Sequence, residues 1–81
     1  MPKLKVLSGP KIINIFQKLG FKIVAQKGSH VKLQRTLSGG QKQTLTIPRH
    51  KELDKGTIKA IYRQSLRYIS EDKLVNYFYT S

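Results

Sequence analysis

The chain has 81 residues, of which 38% are hydrophobic, and sixteen Lys and Arg against four Asp and Glu give it a formal charge of +12. That length allows a single two-layer domain over residues 1–81, with no room for a deep cavity, so any chemistry is expected on an open surface. There are no cysteines, which excludes disulfides, thiolate zinc sites and a Cys nucleophile.

Ser8 is suited to cap a helix. Pro10 falls in its first turn, Ile12, Ile13, Phe16 and Leu19 recur at helical spacing, and Gly20 is a stop, which predicts a helix over 9–19. Residues 21–26 alternate as a strand, with Phe21, Ile23 and Ala25 on one face and Lys22, Val24 and Gln26 on the other. Lys27-Gly28-Ser29 is a hairpin turn. A second strand starts at His30, turning Val31, Leu33 and Arg35 one way and His30, Lys32, Gln34 and Thr36 the other. After Ser38-Gly39-Gly40 a third strand covers about 41–47, with Leu45 and Ile47 inward and Thr44 and Thr46 outward. Pro48 ends the sheet, and a polar loop leads to Asp54, the N-cap of a helix whose apolar face is Ile58, Ile61, Tyr62, Ser65, Leu66 and Ile69. A short helix after Ser70 carries Leu74, Val75 and Phe78. The expected fold is α+β: α-β-β-β-α with a three-stranded antiparallel sheet and a short C-terminal helix, the helices covering one sheet face and the other facing solvent.

So large an excess of positive charge points to nucleic acid. No segment combines a basic helix face with a wide, otherwise unused apolar face, so a membrane partner is not expected. Met1-Pro2-Lys3-Leu4-Lys5 lacks the apolar run of a signal peptide, and a cytoplasmic protein is expected. The charge should also keep the free chain monomeric.

The free sheet face is where chemistry would sit. The alternation places His30, Lys32 and Gln34 there, with Thr44, Thr46, Lys42, Lys22 and Gln26. RNA carries its own nucleophile, the 2′-hydroxyl, so an enzyme needs a proton acceptor, a proton donor and cations for the phosphate. His30 has the side chain best poised to move protons near neutrality, and Lys27 and Lys32 would hold the phosphorane charge. No metal or other cofactor is expected, because Glu52 and Asp54 have no partners to complete a ligand set. Gly28 and Ser29 are turn residues first. A glycine also lets a phosphate approach the backbone, and Ser29 offers a hydroxyl. His50, in the loop Pro48-Arg49-His50-Lys51, is expected to cap or to contact phosphate beside Lys51. The other reading makes it the proton partner of His30, but a loop position gives no geometric reason for that. Lys55, Lys59 and Arg63 recur every four residues on the second long helix and suit phosphate contacts. Tyr68, Tyr77 and Tyr79 would stack on bases or, more in keeping with a helical tail, pack.

Three stretches together resemble a known family: Ser8-Gly9 with Leu19-Gly20-Phe21; Gln26-Lys27-Gly28-Ser29-His30; and Ile47-Pro48, His50, Glu52-Leu53 with Lys55-Gly56-Thr57-Ile58 and Ile61. The combination, over roughly residues 5–70 as judged against a single-domain length, resembles HicA, the toxin of HicA–HicB type II toxin–antitoxin modules. The resemblance implies a fold similar to a double-stranded RNA-binding domain and ribosome-independent cleavage of mRNA. It implies that His30 is the catalytic residue, and that a HicB-like antitoxin covers the active face and joins the toxin in a hetero-oligomer. Where many relatives have a second ring after the catalytic histidine, this chain has Val31, which the alternation turns into the core. Residues 71–81 extend past the usual end of the family and are expected on the sheet edge or against the antitoxin. The alternative is a non-catalytic double-stranded RNA-binding module using Lys51, Lys55 and Lys59. DNA binding is disfavoured because a sheet, not a turn, separates the two long helices.

Overall fold

The computed structural model describes residues 2–80; Met1 and Ser81 lie outside the described residues. The elements run α1 (Gly9–Lys18), β1 (Lys22–Lys27), β2 (His30–Thr36), β3 (Lys42–Pro48), α2 (Lys55–Ser65) and α3 (Glu71–Phe78). The strands form one antiparallel sheet in the order β1-β2-β3, so the expected α-β-β-β-α arrangement with a short final helix is the one observed.

Local chemistry sets the boundaries. Ser8 Oγ accepts from the Lys11 N–H at 3.2 Å and caps α1. At the other end the Gly20 N–H donates to the Gln17 carbonyl and the Phe21 N–H to the Phe16 carbonyl, at 3.1 and 2.9 Å. These are the two bonds of a Schellman stop, and the Phe16 and Phe21 rings that close it meet edge-on at 5.8 Å. Asp54 caps α2 by accepting from the Thr57 N–H at 2.9 Å. Hydrogen bonds from the Thr57 side chain and backbone hold its carboxyl below the usual carboxylate range.

One face of the sheet is dry. Val31, Leu33, Leu45 and Ile47 are fully buried against Ile12 and Phe16 of α1, Ile58 of α2, and Leu74 and Phe78 of α3. Burying side chains of this size contributes about 1.5–3 kcal/mol each. Arg35 shares this face at its rim. Its guanidinium lies 4.8 Å from the Phe21 ring centre and donates to the Leu19 carbonyl, the Tyr68 carbonyl and Gln43 Oε1 at 2.9, 3.1 and 2.9 Å.

β1 departs from simple alternation. Its pairing slips between Ile23 and Ala25, leaving Val24 as an extra residue. Ile23 to Lys27 is four steps along β1, while their partners Leu33 to His30 are three steps along β2. The hairpin turn pairs Lys27 with His30, and further along Ile23 pairs with Leu33; a bulge absorbs the mismatch. Residues directly opposite share a face, so Lys22 is on the free face as expected. Gln26, opposite Val31, is not: it moves to the helix side, and Ala25 takes the free face opposite Lys32. All six residues of β1 are exposed, Ile23 and Val24 included.

The C-terminal segment also lies elsewhere than the sheet edge. The rings of Phe16 and Phe78 lie 6.1 Å apart, and that of Tyr62 lies 5.2 Å from both Phe78 and Tyr79, so α3 packs on the helical layer. Leu4 and Tyr79 form an antiparallel bridge, and the Lys5 N–H donates to the Phe78 carbonyl and the Thr80 N–H to the Lys3 carbonyl, at 2.7 and 2.8 Å. Tyr68, Tyr77 and Tyr79 are half-buried against the core, which makes them packing groups. No helix among the described residues is long and apolar enough to cross a membrane.

Candidate functional site

The β1–β2 connection has two residues, with Lys27 and His30 paired across it. Gly28 has φ of +59°, while Ser29, like every non-glycine among the described residues, does not have positive φ, so Gly28-Ser29 follows the pattern of a type II′ turn, whose first central position takes glycine. A side chain at Gly28 would meet nothing within 4 Å; the glycine serves the backbone and leaves open space above it.

His30 opens β2 and is exposed, as the alternation requires. It sits between Lys27 on β1 and Pro48 on β3. Lys32, two residues on, is exposed between Ala25 and Thr46, and Lys22 is exposed at the far end of β1 opposite Gln34. His30, Lys22, Lys27 and Lys32 therefore share one solvent-facing surface.

The loop after β3 is docked on the hairpin turn. The Arg49 N–H donates to the Ser29 carbonyl at 2.6 Å. His50 Nε2 lies 3.0 Å from Ser29 Oγ, with the donor fixed by the imidazole tautomer. Arg49 Nη1 donates to Gln26 Oε1 at 3.3 Å, and Gln26 Nε2 to the Gly28 carbonyl at 3.1 Å. From the other side, the Gly9 N–H at the start of α1 donates to the His50 carbonyl at 2.8 Å. A Cβ on Gly9 would collide with the Pro48 carbonyl and come within 2.8 Å of the His50 nitrogen. Residues 8–9, 28–30 and 48–50, far apart in the chain, thus meet at one corner of the sheet. The backbone of His50 is thus held by α1 and its ring by Ser29, in the turn that leads into His30.

Sequence reasoning missed Gly9 as the residue that permits this approach and Arg49 as the clamp on the turn. A glycine between a cap and a proline, where helix propensity favours other residues, was the available signal for the first. Nothing in the sequence marked the second.

Lys51, next to His50 on the loop, is exposed, and so are Lys55 and Lys59 of α2, which are not part of this corner. Lys55 and Lys59 line a depression of about 500 Å³ with Pro2, Lys3, Leu4 and Tyr79, on the helical layer, whereas His30 points away from that layer. The protein has two separate basic surfaces. Among the described residues no group of three or more His, Asp or Glu side chains is placed to hold a metal ion.

Fold and site together define a small basic α+β protein whose motifs gather around a histidine-bearing hairpin. A family model for the HicA toxin of bacterial toxin–antitoxin modules matches residues 9–66, and the chain belongs to that family. It is therefore the toxin of a toxin–antitoxin pair, with an antitoxin as partner. The match leaves out α3. No curated protein and no solved structure matches the chain.

Proposed function

We propose that this toxin is an endoribonuclease that cleaves mRNA without a metal or other cofactor and without the ribosome, with His30 as its catalytic residue. The observation that carries this reading is His30 itself: an exposed imidazole on the free sheet face, beside Lys27 and near Lys32. In the reaction the His30 imidazole takes the proton of a ribose 2′-hydroxyl, whose oxygen attacks the adjacent phosphorus. Lys27 and Lys32, with Lys22 further along the strand, stabilise the added negative charge. The open turn at Gly28 lets the phosphodiester approach the backbone, and Ser29 offers it a hydroxyl. The chain acts in the cytoplasm, is monomeric when free, and is held inactive in a hetero-oligomer by a HicB-like antitoxin over this face.

The test is incubation of purified protein with matched RNA and DNA strands in EDTA, beside His30→Ala. Cleavage of RNA alone that survives the chelator and is lost with His30 is the expected result. Cleavage by His30→Ala at the wild-type rate removes the assignment, and cleavage abolished by EDTA removes the metal-free mechanism. The exposed row Lys55, Lys59 and Arg63 on α2, with Lys51 before it, supports a second reading, a module that binds double-stranded RNA and cuts nothing. Tight RNA binding with no cleavage by the wild-type chain would favour it.

A further inference from the structure

We infer that Ser29 and His50 together are the proton donor of the cleavage reaction, Ser29 touching the substrate and His50 acting behind it as a positioning and proton-supplying residue. The inference rests on the nuclease reading and completes it, since His30 alone accounts for only one of the two proton transfers. The observation behind it is the 3.0 Å contact between His50 Nε2 and Ser29 Oγ, made at the residue that directly precedes His30. Consecutive Cα atoms are about 3.8 Å apart, and in this proposal Ser29 Oγ and the His30 ring serve the two ends of a single phosphodiester.

The contact is built, not incidental. Two main-chain hydrogen bonds, Arg49 N–H to the Ser29 carbonyl and Gly9 N–H to the His50 carbonyl, fix the loop on the turn and on α1 before any side chain is considered. A glycine at position 9 is required for that approach. A phosphate-binding role for His50 needs none of this, because a histidine on a free loop would serve.

The 2′-hydroxyl proton passes to the neutral His30 ring as the 2′-oxygen bonds to phosphorus. The bond from phosphorus to the 5′-oxygen breaks, and its electron pair stays on the 5′-oxygen. That oxygen takes the hydroxyl proton of Ser29, and Ser29 Oγ takes the Nε2 proton of the His50 imidazolium. The products are a 2′,3′-cyclic phosphate and a 5′-hydroxyl, and solvent resets both imidazoles. The charged groups around the pair are Lys27 and His30 on the hairpin, Arg49 and Lys51 on the loop, and Glu52 and Asp54, which line a depression with His50. From α1 the Gly9 backbone meets the loop; Lys11 is the first charged side chain of that helix.

The experiment is a pH–rate profile of kcat/KM on a defined RNA oligonucleotide for the wild type, His50→Gln, Ser29→Ala, the double variant and His30→Ala, with folding of each checked by thermal melting. His50→Gln keeps an amide able to reach Ser29 but has no proton to give. The wild type is expected to show a bell-shaped profile. His50→Gln and Ser29→Ala are each expected to fall about 100-fold or more near neutrality and to lose the alkaline limb, with the double variant no worse than either single one. A substrate whose 5′-oxygen is replaced by sulfur, a leaving group that needs no proton, should restore both but not His30→Ala. A folded His50→Gln that keeps the full bell, falls evenly at every pH, or gains nothing from the sulfur substrate overturns the inference while leaving His30 intact. A wild type that cleaves no RNA overturns the nuclease reading and this inference together.

Discussion

The main-chain N–H of Gly9 reaches the carbonyl of His50 at 2.8 Å, and the approach leaves no space for a side chain at position 9. Helix propensity alone would favour Gly9→Ala, by up to about 1 kcal/mol. The collision with Pro48 and His50 sets the opposite sign. Overpacking of this kind costs about 1–3 kcal/mol, so Gly9→Ala is expected to lower the melting temperature by several degrees. The displaced loop should also loosen the His50–Ser29 contact, visible as a change in the His50 ring resonances by NMR. A variant as stable as wild type with unchanged resonances would show that the loop moves freely.

Most of the sheet was legible in the sequence because β2 and β3 are each buried on one face only, and a two-residue period follows directly from that. The inward Val31, Leu33, Leu45 and Ile47 and the outward His30 and Lys32 came from this pattern. β1 did not, because all six of its residues are exposed and burial enforces no pattern there; the bulge at Val24 arises in its pairing with β2, which a local reading of β1 does not reach. The site was half legible. His30 sits on a regular element and could be oriented, whereas His50 is oriented by hydrogen bonds to Gly9 and Ser29, residues some forty and twenty positions away, which no local rule reaches. Arg35 was placed on the correct face by the alternation, but its role as a clamp depends on two carbonyls from other elements.

Those two carbonyls make Arg35 the joint between the end of α1 and the turn after α2. The planar fork reaches Leu19 and Tyr68 from separate nitrogens while its face covers Phe21. Arg35→Met keeps the apolar stem and loses the donors, and a cost of about 1–3 kcal/mol is expected. Arg35→Lys should recover little of it, since a single ammonium cannot reproduce the fork. Chemical denaturation of the three proteins measures this; a Lys variant as stable as wild type would remove the role assigned to the fork.

Tyr62 makes stability sensitive to alkali. Burial and then the hydrogen bond to Glu71 Oε2, 2.9 Å away, push its phenol up to about 12 from the usual 10.0. The folded state thus keeps a proton that the unfolded chain gives up. The contribution is complete below pH 10 and is lost as pH rises towards about 12. Tyr62→Phe cannot ionise, so its melting temperature should fall less than that of wild type across this window. Parallel curves for the two proteins would show that the phenol titrates normally.

The two basic surfaces separate through their dependence on salt. Each lysine that neutralises a phosphate of single-stranded RNA adds about 0.7 to the slope of log affinity against log salt. A short 2′-deoxy strand, which cannot be cleaved, should rest on the sheet face, so Lys32→Ala is expected to lower that slope by about this amount. Lys59→Ala, on the helical layer, should leave it unchanged. The alternative reading reverses the order on a double-stranded RNA long enough to contact α2, where Lys59→Ala would matter and Lys32→Ala would not. Fluorescence anisotropy over a salt series gives both slopes, and a dominant effect of Lys59 on the short strand would move the RNA path from the His30 face to the helices.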